Sequence, residues 1–417
     1  MCPLLRSQSG LPAPLTGNAS RPTFSGESAS KNILTTTLRV STTVDDNAMN
    51  DNSNKITDSI SRFDPTFAWN LSRRRWSLDT EYTPGFSYSI ELPRYRTVSH
   101  ALQNSLSIML AQHLNLRLRN GFTRTSDPFD RVSQAQTVPG FGVLDGTNPS
   151  LFSRPTLSTS DQAGLDITYA PAAHTTVGLS GTYATTMYED LVPGEIFNRD
   201  TQVASGRAFI DQKLSPRQSV SASYNYQVIT SGVYGRTVTQ TVLLFDSWQL
   251  NPKVSFSVFG GPQYTNVHYG SVLATVPLTT GWSWSAGGTV DWKGTMTALS
   301  GSVSRRVSDG GGLGGAVQMT DFSGKVSRRI GKNWRTNFFA SYTRNGSNGS
   351  SPLGRSINYF SGGVGVTRQI VRNLSFDARY WYSHEDQTTT VVPLGFLADH
   401  NRISIGLSYS FTHRLGS

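Results

Sequence analysis

Seven histidines, His100, His113, His174, His268, His384, His400 and His413, are the side chains of this sequence best suited to chemistry, and their spacing excludes most of what histidine does. No pair stands at HExxH spacing and Cys2 has no second thiol, so neither a metal site nor a disulfide framework follows. His384-Glu385-Asp386 sets an imidazole beside two carboxylates, but at a strand-to-loop junction, where a solvated cluster is the simpler reading than a ligating one. Gly310-Gly-Gly-Leu-Gly-Gly315 lacks the Lys-Ser/Thr and the helix of a phosphate loop, and reads as loop and strand-end glycine. A hydrolase would need a Ser, a His and an orienting group within hydrogen-bond reach, and no local motif announces one. The expectation is a chain that is not an enzyme and carries no cofactor or metal.

The formal net charge of +10 raises nucleic acid as a partner. A nucleic-acid module gathers its cations on one element or stripe, whereas Arg73-Arg74-Arg75, Arg305-Arg306 and Arg328-Arg329 are spread along the chain. Nucleic acid is therefore not expected.

The elements that must position these residues are strands. Arg402-Ile-Ser-Ile-Gly-Leu-Ser-Tyr-Ser-Phe411 puts Ile403, Ile405, Leu407, Tyr409 and Phe411 on one face and Arg402, Ser404, Gly406, Ser408 and Ser410 on the other. The period recurs in Leu374 to Tyr382, Val220 to Tyr226 and Trp334 to Tyr342, and more weakly in Leu34 to Val44, Leu114 to Phe122, Ala163 to Tyr169, Val177 to Tyr183 and Trp282 to Trp292. Helical patterns are almost absent, and no run of eighteen apolar residues exists that could cross a membrane as a helix. Only 36% of residues are hydrophobic, which a membrane barrel tolerates because every second residue of a strand faces lipid. The fold class is all-β.

Two kinds of connection take turns between these strands. Short ones fall near Ser72 to Arg75, Ala111 to His113, Ala170 to His174, Ser215 to Arg217, Asn251 to Lys253, Lys293 to Thr295, Gly331 to Asn333 and Val371 to Asn373, roughly forty residues apart. Longer polar ones span Asp45 to Lys55, Ser126 to Ser160, Glu189 to Asp200, Tyr269 to Thr280, Ser308 to Gly315, Asn345 to Gly354 and His384 to Asn401. That alternation predicts an antiparallel up-and-down barrel of about 18 strands, with 16 as the alternative, closed by pairing the last strand with Ile33 to Val44. Arg62 to Asn70, interrupted by Pro65, and Arg236 to Leu250, where parity blurs, are its weakest segments. Residues 1–31, with Pro3, Pro12, Pro14 and Pro22 among Ser, Gly and Asn, read as a disordered segment, 32–411 as one barrel and 412–417 as a short tail.

The hairpin ladder and the Ile403 to Phe411 strand resemble bacterial outer-membrane β-barrels, and more specifically porin-like channels, over residues 32–411. The terminal strand is similar to the signal that hands such proteins to their assembly machinery, although most members end at the aromatic and six residues follow it here. The resemblance implies a bacterial outer-membrane location, outer-membrane lipids and assembly machinery as partners, and small hydrophilic solutes as cargo. A homo-oligomer is one expectation by the same analogy. No basic segment followed by an apolar one precedes the barrel, so either the natural start lies upstream or the chain is the C-terminal part of a longer exported protein.

If the Phe411 parity faces lipid, the opposite parity lines the lumen. The pore-lining candidates are then Arg39, Asp79, Glu81, Arg117, Arg119, Asp166, Asp377 and Arg379. A barrel this wide is not filled by its own side chains, so an aqueous channel for passive diffusion is the leading reading. The connection after the fifth strand resembles the constriction loop of general porins, with Asp130, Pro139, Phe141 and Asp145 as its candidates. Folded inward, Asp130 and Asp145 would face Arg117 and Arg119 across an eyelet; folded outward, they would be solvated at the rim. Arginines beside the short turns either reach lipid headgroups or are simply solvated. Two other functions stay open: a barrel serving envelope assembly or polysaccharide export, and a secreted soluble β-protein or adhesin.

Overall fold

The computed structural model describes residues 32–93, 96–127, 156–189, 200–231, 235–269, 279–309, 316–347, 355–389 and 396–415. They form eighteen strands: β1 (Ile33–Asp45), β2 (Asp58–Ser72), β3 (Trp76–Ser89), β4 (Val98–Ala111), β5 (Leu114–Thr125), β6 (Leu157–Ala172), β7 (Thr175–Glu189), β8 (Thr201–Ser215), β9 (Gln218–Ser231), β10 (Gly235–Asn251), β11 (Val254–Tyr269), β12 (Thr279–Lys293), β13 (Thr297–Asp309), β14 (Ala316–Ile330), β15 (Trp334–Ser347), β16 (Arg355–Val371), β17 (Leu374–Thr389) and β18 (Phe396–Arg414). Each strand pairs antiparallel with its sequence neighbours, and β1 pairs with β18 from Ile33↔Arg414 to Asp45↔Arg402, so the sheet has no free edge. The ladder runs past Phe411 because Thr412 and His413 find partners in Thr35 and Leu34. Half of the expected tail is thus strand.

The short turns owe their form to local hydrogen bonding and to bulges. Asn251 Oδ1 accepts from the amides of Lys253 and Val254 at 2.8 and 2.9 Å, closing the β10–β11 turn in place of a backbone carbonyl. Gly331 opens the β14–β15 turn at φ 63°, a left-handed backbone that strains residues with a side chain. Register shifts fall beside the turns that end β4, β6, β8, β10 and β16, which tightens the local twist there. At the opposite end the connections are not uniformly long: 232–234 joins β9 to β10, and 90–97 joins β3 to β4, two links that sequence alone does not single out.

Both weak segments are full strands. In β2 and β3 the ladder pairs Phe63 with Phe86 and Phe67 with Tyr82, and Pro65 and Pro84 fall in the gap between them. Neither proline has an amide to donate, so facing them across one interruption leaves the ladders to β1 and β4 intact. In β10 the alternation survives although both faces carry apolar residues: Leu243 is 0% exposed and its neighbour Leu244 is 61% exposed.

The outer surface is an apolar belt. Val40, Leu179, Leu244, Phe338, Ile403, Ile405 and Leu407 are among the large side chains left uncovered there. Trp76, Trp292 and Trp334 stand on the outer face beside short turns, and Phe86, Tyr183 and Trp282 lie toward the other end, two girdles bracketing the belt. At about 3.3 Å per residue, strands of 12 to 19 residues tilted by about 45° cross its thickness with residues to spare. An uncovered apolar belt on a closed barrel is the surface that a hydrocarbon interior solvates and water does not.

Candidate functional site

The lumen wall is the face on which side chains from distant strands meet. Two of its charged groups were expected from parity. On β3 to β7, the Arg119 guanidinium donates to Asp166 at 2.9 Å, Ser180 Oγ donates to the same carboxylate at 2.6 Å, and Arg117 Nε donates to Ser105 Oγ at 3.1 Å. Asp79 and Asp166 lie within electrostatic range of Arg117, and Glu81 follows Asp79 on the same face of β3. Across the seam, Arg39 Nη2 of β1 donates to Asp377 Oδ2 of β17 at 2.8 Å, with Arg379 Nε 3.6 Å from the same oxygen. All eight candidates share the parity opposite the apolar belt, in two groups, β17 to β1 and β3 to β6, that only β2 separates at their nearest.

A third network was not singled out by sequence. Asp127, two residues past β5, approaches Arg62 of β2 at 3.3 Å and Arg402 of β18 at 3.1 Å; Arg402 Nε also lies 3.4 Å from Asp45, whose other oxygen meets His400 at 3.1 Å. A residue leaving β5 can touch β2 and β18 only across the concave side, so this link spans part of the mouth. Ser126, hydrogen-bonded to Thr97 at 2.8 Å, holds the chain as it turns inward. The signals were present but dispersed: Arg402 lies on the polar face of the last strand, Arg62 in the segment broken by Pro65, and Asp127 in a connection without a period. Asp130, Pro139, Phe141 and Asp145 lie outside the described residues.

His384-Glu385-Asp386 is divided by the pleat. His384 faces outward and pairs with Asp399 at 2.7 Å, while Glu385 is buried on the inner face, so the three do not converge on one ion. Among the described residues no group of three or more His, Cys, Asp or Glu could hold a metal.

Opposite the seam the wall changes character. The inward positions of β9, β10 and β11 carry no charged side chain; they present Ser221, Ser223, Asn225, Thr237, Thr239 and Thr241, then Leu243, Phe245 and Phe259 in one buried cluster. Arg207 of β8 lies over the Phe209 and Phe245 rings at 5.2 and 5.4 Å. Inward aromatics lie flat because each covers a glycine across the ladder: Phe209 over Gly178, Phe259 over Gly287 and Phe339 over Gly363. A side chain at any of those glycines would run into the ring.

The short turns are basic, with Arg73, Arg74, Arg75, Arg217, Lys253, Lys332 and Arg372, whereas the opposite end carries both signs: Asp45, Asp46, Asp58, Asp127, Glu385 and Asp399 beside Arg62, Arg96, Arg124 and Arg402.

No family model and no curated protein matches the sequence. Solved structures do resemble the barrel. OpdL of Pseudomonas aeruginosa is 9% identical with a TM-score of 0.46, over 93% of this chain and 99% of its own. OccAB3 of Acinetobacter baumannii is 10% identical with a TM-score of 0.46, over 92% and 99%. OccK2 (OpdF) of Pseudomonas aeruginosa is 8% identical with a TM-score of 0.48, over 92% and 98%. Likenesses at this level bear on neither solute nor mechanism, and function has to be read from the barrel's own wall.

Proposed function

We propose that this chain is a bacterial outer-membrane channel through which small hydrophilic solutes diffuse passively. The observation that carries the reading is the contrast between the two faces of one closed sheet: an apolar belt outside, and hydroxyl, amide and paired charged groups inside. A wall of paired charges suits a hydrated path, because each ion keeps a partner or water as solutes pass. Arg39, Asp79, Glu81, Arg117, Arg119, Asp166, Asp377 and Arg379 are its proposed lining. The inward link from Asp127 to Arg62 and Arg402 favours a constriction on the β5 side of the mouth over a fully open rim. The apolar belt speaks against the soluble adhesin, since it would face water.

The basic short-turn rim is proposed to face the periplasm, where assembly machinery would meet β18. Single-channel recording of the purified barrel in a planar bilayer tests the function. Discrete, long-lived conducting steps are expected; a barrel that inserts, migrates as a heat-modifiable band on a gel and yet passes no current would sink the channel and leave the envelope-assembly barrel.

A further inference from the structure

We propose that the outer wall between β13 and β16 holds one anionic glycerophospholipid, with an acyl chain lying in a groove of the sheet and its phosphate between Arg328 and Arg368. The proposal rests on the membrane reading above but not on conduction. The groove, which continues onto β11 and β12 at Phe256, Val258, Gly288 and Val290, has a volume of about 540 Å³. Its floor is a cross-strand row of small residues at one level of the ladder, Gly301↔Gly324↔Ala340, and its wall is the next row, Phe322↔Tyr342↔Phe360. All six stand on the outward parity, within the apolar belt, so the medium that fills the groove is hydrocarbon. A trench one residue wide, with that aromatic row on one side and Leu299, Val326, Phe338 and Val364 on the other, fits a single acyl chain.

Gly324 is not demanded by the fold. A side chain placed there would meet nothing within 4 Å, so the trench is open because the side chain is missing, not because packing forbids one. Toward the short turns the same face becomes cationic. Arg328 is four residues beyond Gly324 on β14, about 13 Å along the strand, which is within the reach of an acyl chain from its phosphate. Arg368 of β16 is held against the Trp334 ring, 5.0 Å from its centroid, on the same outer surface. Register places the two arginines two strands and two residues apart, about 12 Å between their backbones, a gap that long side chains close on one phosphate. Both are exposed, and among the described residues no acidic side chain pairs with either. Two cations beside a tryptophan at the edge of an apolar groove match a phosphate joined to a chain better than they match either alone.

The test is native mass spectrometry of the full barrel in neutral detergent, titrated with phosphatidylglycerol and, separately, with phosphatidylcholine of the same chains. Wild type should take up one phosphatidylglycerol at least tenfold more tightly than any further copy and tenfold more tightly than the first phosphatidylcholine. Gly324→Leu fills the trench without strain and should weaken both lipids about tenfold. R328Q combined with R368Q should abolish the preference for phosphatidylglycerol while leaving the chain-dependent part. Equal first-lipid binding in wild type and Gly324→Leu, or no preference between headgroups, overturns the proposal. So does a barrel dimer that Gly324→Leu dissociates, which would give the groove to a second copy. Conductance, recorded on the same preparations, should not change in any variant, so a barrel that conducts nothing but binds the lipid separates this inference from the channel.

Discussion

Asp127→Ala is the perturbation that the mouth network makes most telling. Two guanidinium groups approach this carboxylate at 3.1 and 3.3 Å, and its side chain is only 16% exposed. With an effective dielectric of about 20, each contact is worth roughly 5 kcal/mol of gross attraction. Most of that is offset by desolvation and side-chain ordering, leaving about 1–3 kcal/mol net for the charged hydrogen bonds. A net loss of about 2 kcal/mol shifts the balance between linked and released mouth about thirtyfold toward release. The same substitution removes the 3.3 and 3.1 Å contacts of Arg62 and Arg402, while Arg62 keeps its 4.0 Å contact to Asp64 and Arg402 its 3.4 Å contact to Asp45. Removing one negative charge raises the net charge of the mouth by one, and one charge about 5 Å from a passing ion is worth about 0.8 kcal/mol in water, enough to raise local anion occupancy about fourfold at low salt.

The assay is single-channel recording with a salt gradient. Asp127→Ala should raise conductance, add flicker and move the reversal potential toward anion selectivity, and the shift should shrink as salt is raised. Conductance and reversal potential both equal to wild type at low salt would refute the idea that this link narrows the mouth.

Other expectations follow from single contacts. Arg119→Ala strips Asp166 of its 2.9 Å partner, leaving Ser180 as a donor; it should lower stability by about 1–3 kcal/mol and move selectivity toward cations, read from the heat-modifiable gel transition and the reversal potential. Gly178→Ala places a carbon 2.3 Å from the Phe209 ring and should cost about 1–3 kcal/mol, and Phe209→Ala in the same chain should recover most of it on the same gel. Thr36→Pro removes an amide from the seam, where Thr36 pairs with Phe411 on one side and Phe67 on the other; a folded yield unchanged from wild type would argue against closure through β1.

Much of the barrel was legible because its signal is local. Side chains alternate at period two wherever one face meets lipid and the other water, and turn residues such as Asn251 and Gly331 act on their own neighbours. Hence eighteen strands, the eight short turns and the β1–β18 seam can be read from residue order. The same parity assigns Arg39, Asp79, Arg119 and Asp377 to the face opposite the apolar belt.

What residue order could not supply is which inward residues meet across strands. Arg119 and Asp166 are forty-seven positions apart and Arg39 and Asp377 three hundred and thirty-eight, and only register makes them neighbours. Asp127 belongs to the mouth network because the closed wall curves β5 back toward β2 and β18, a consequence of shape that no period in the sequence records. The sequence thus determined a two-faced sheet and its closure, since both follow from alternation along a strand. The tertiary structure decided the ion-pair partners, the uncharged wall of β9 to β11 and the groove on β13 to β16, since each depends on the level at which strands pair.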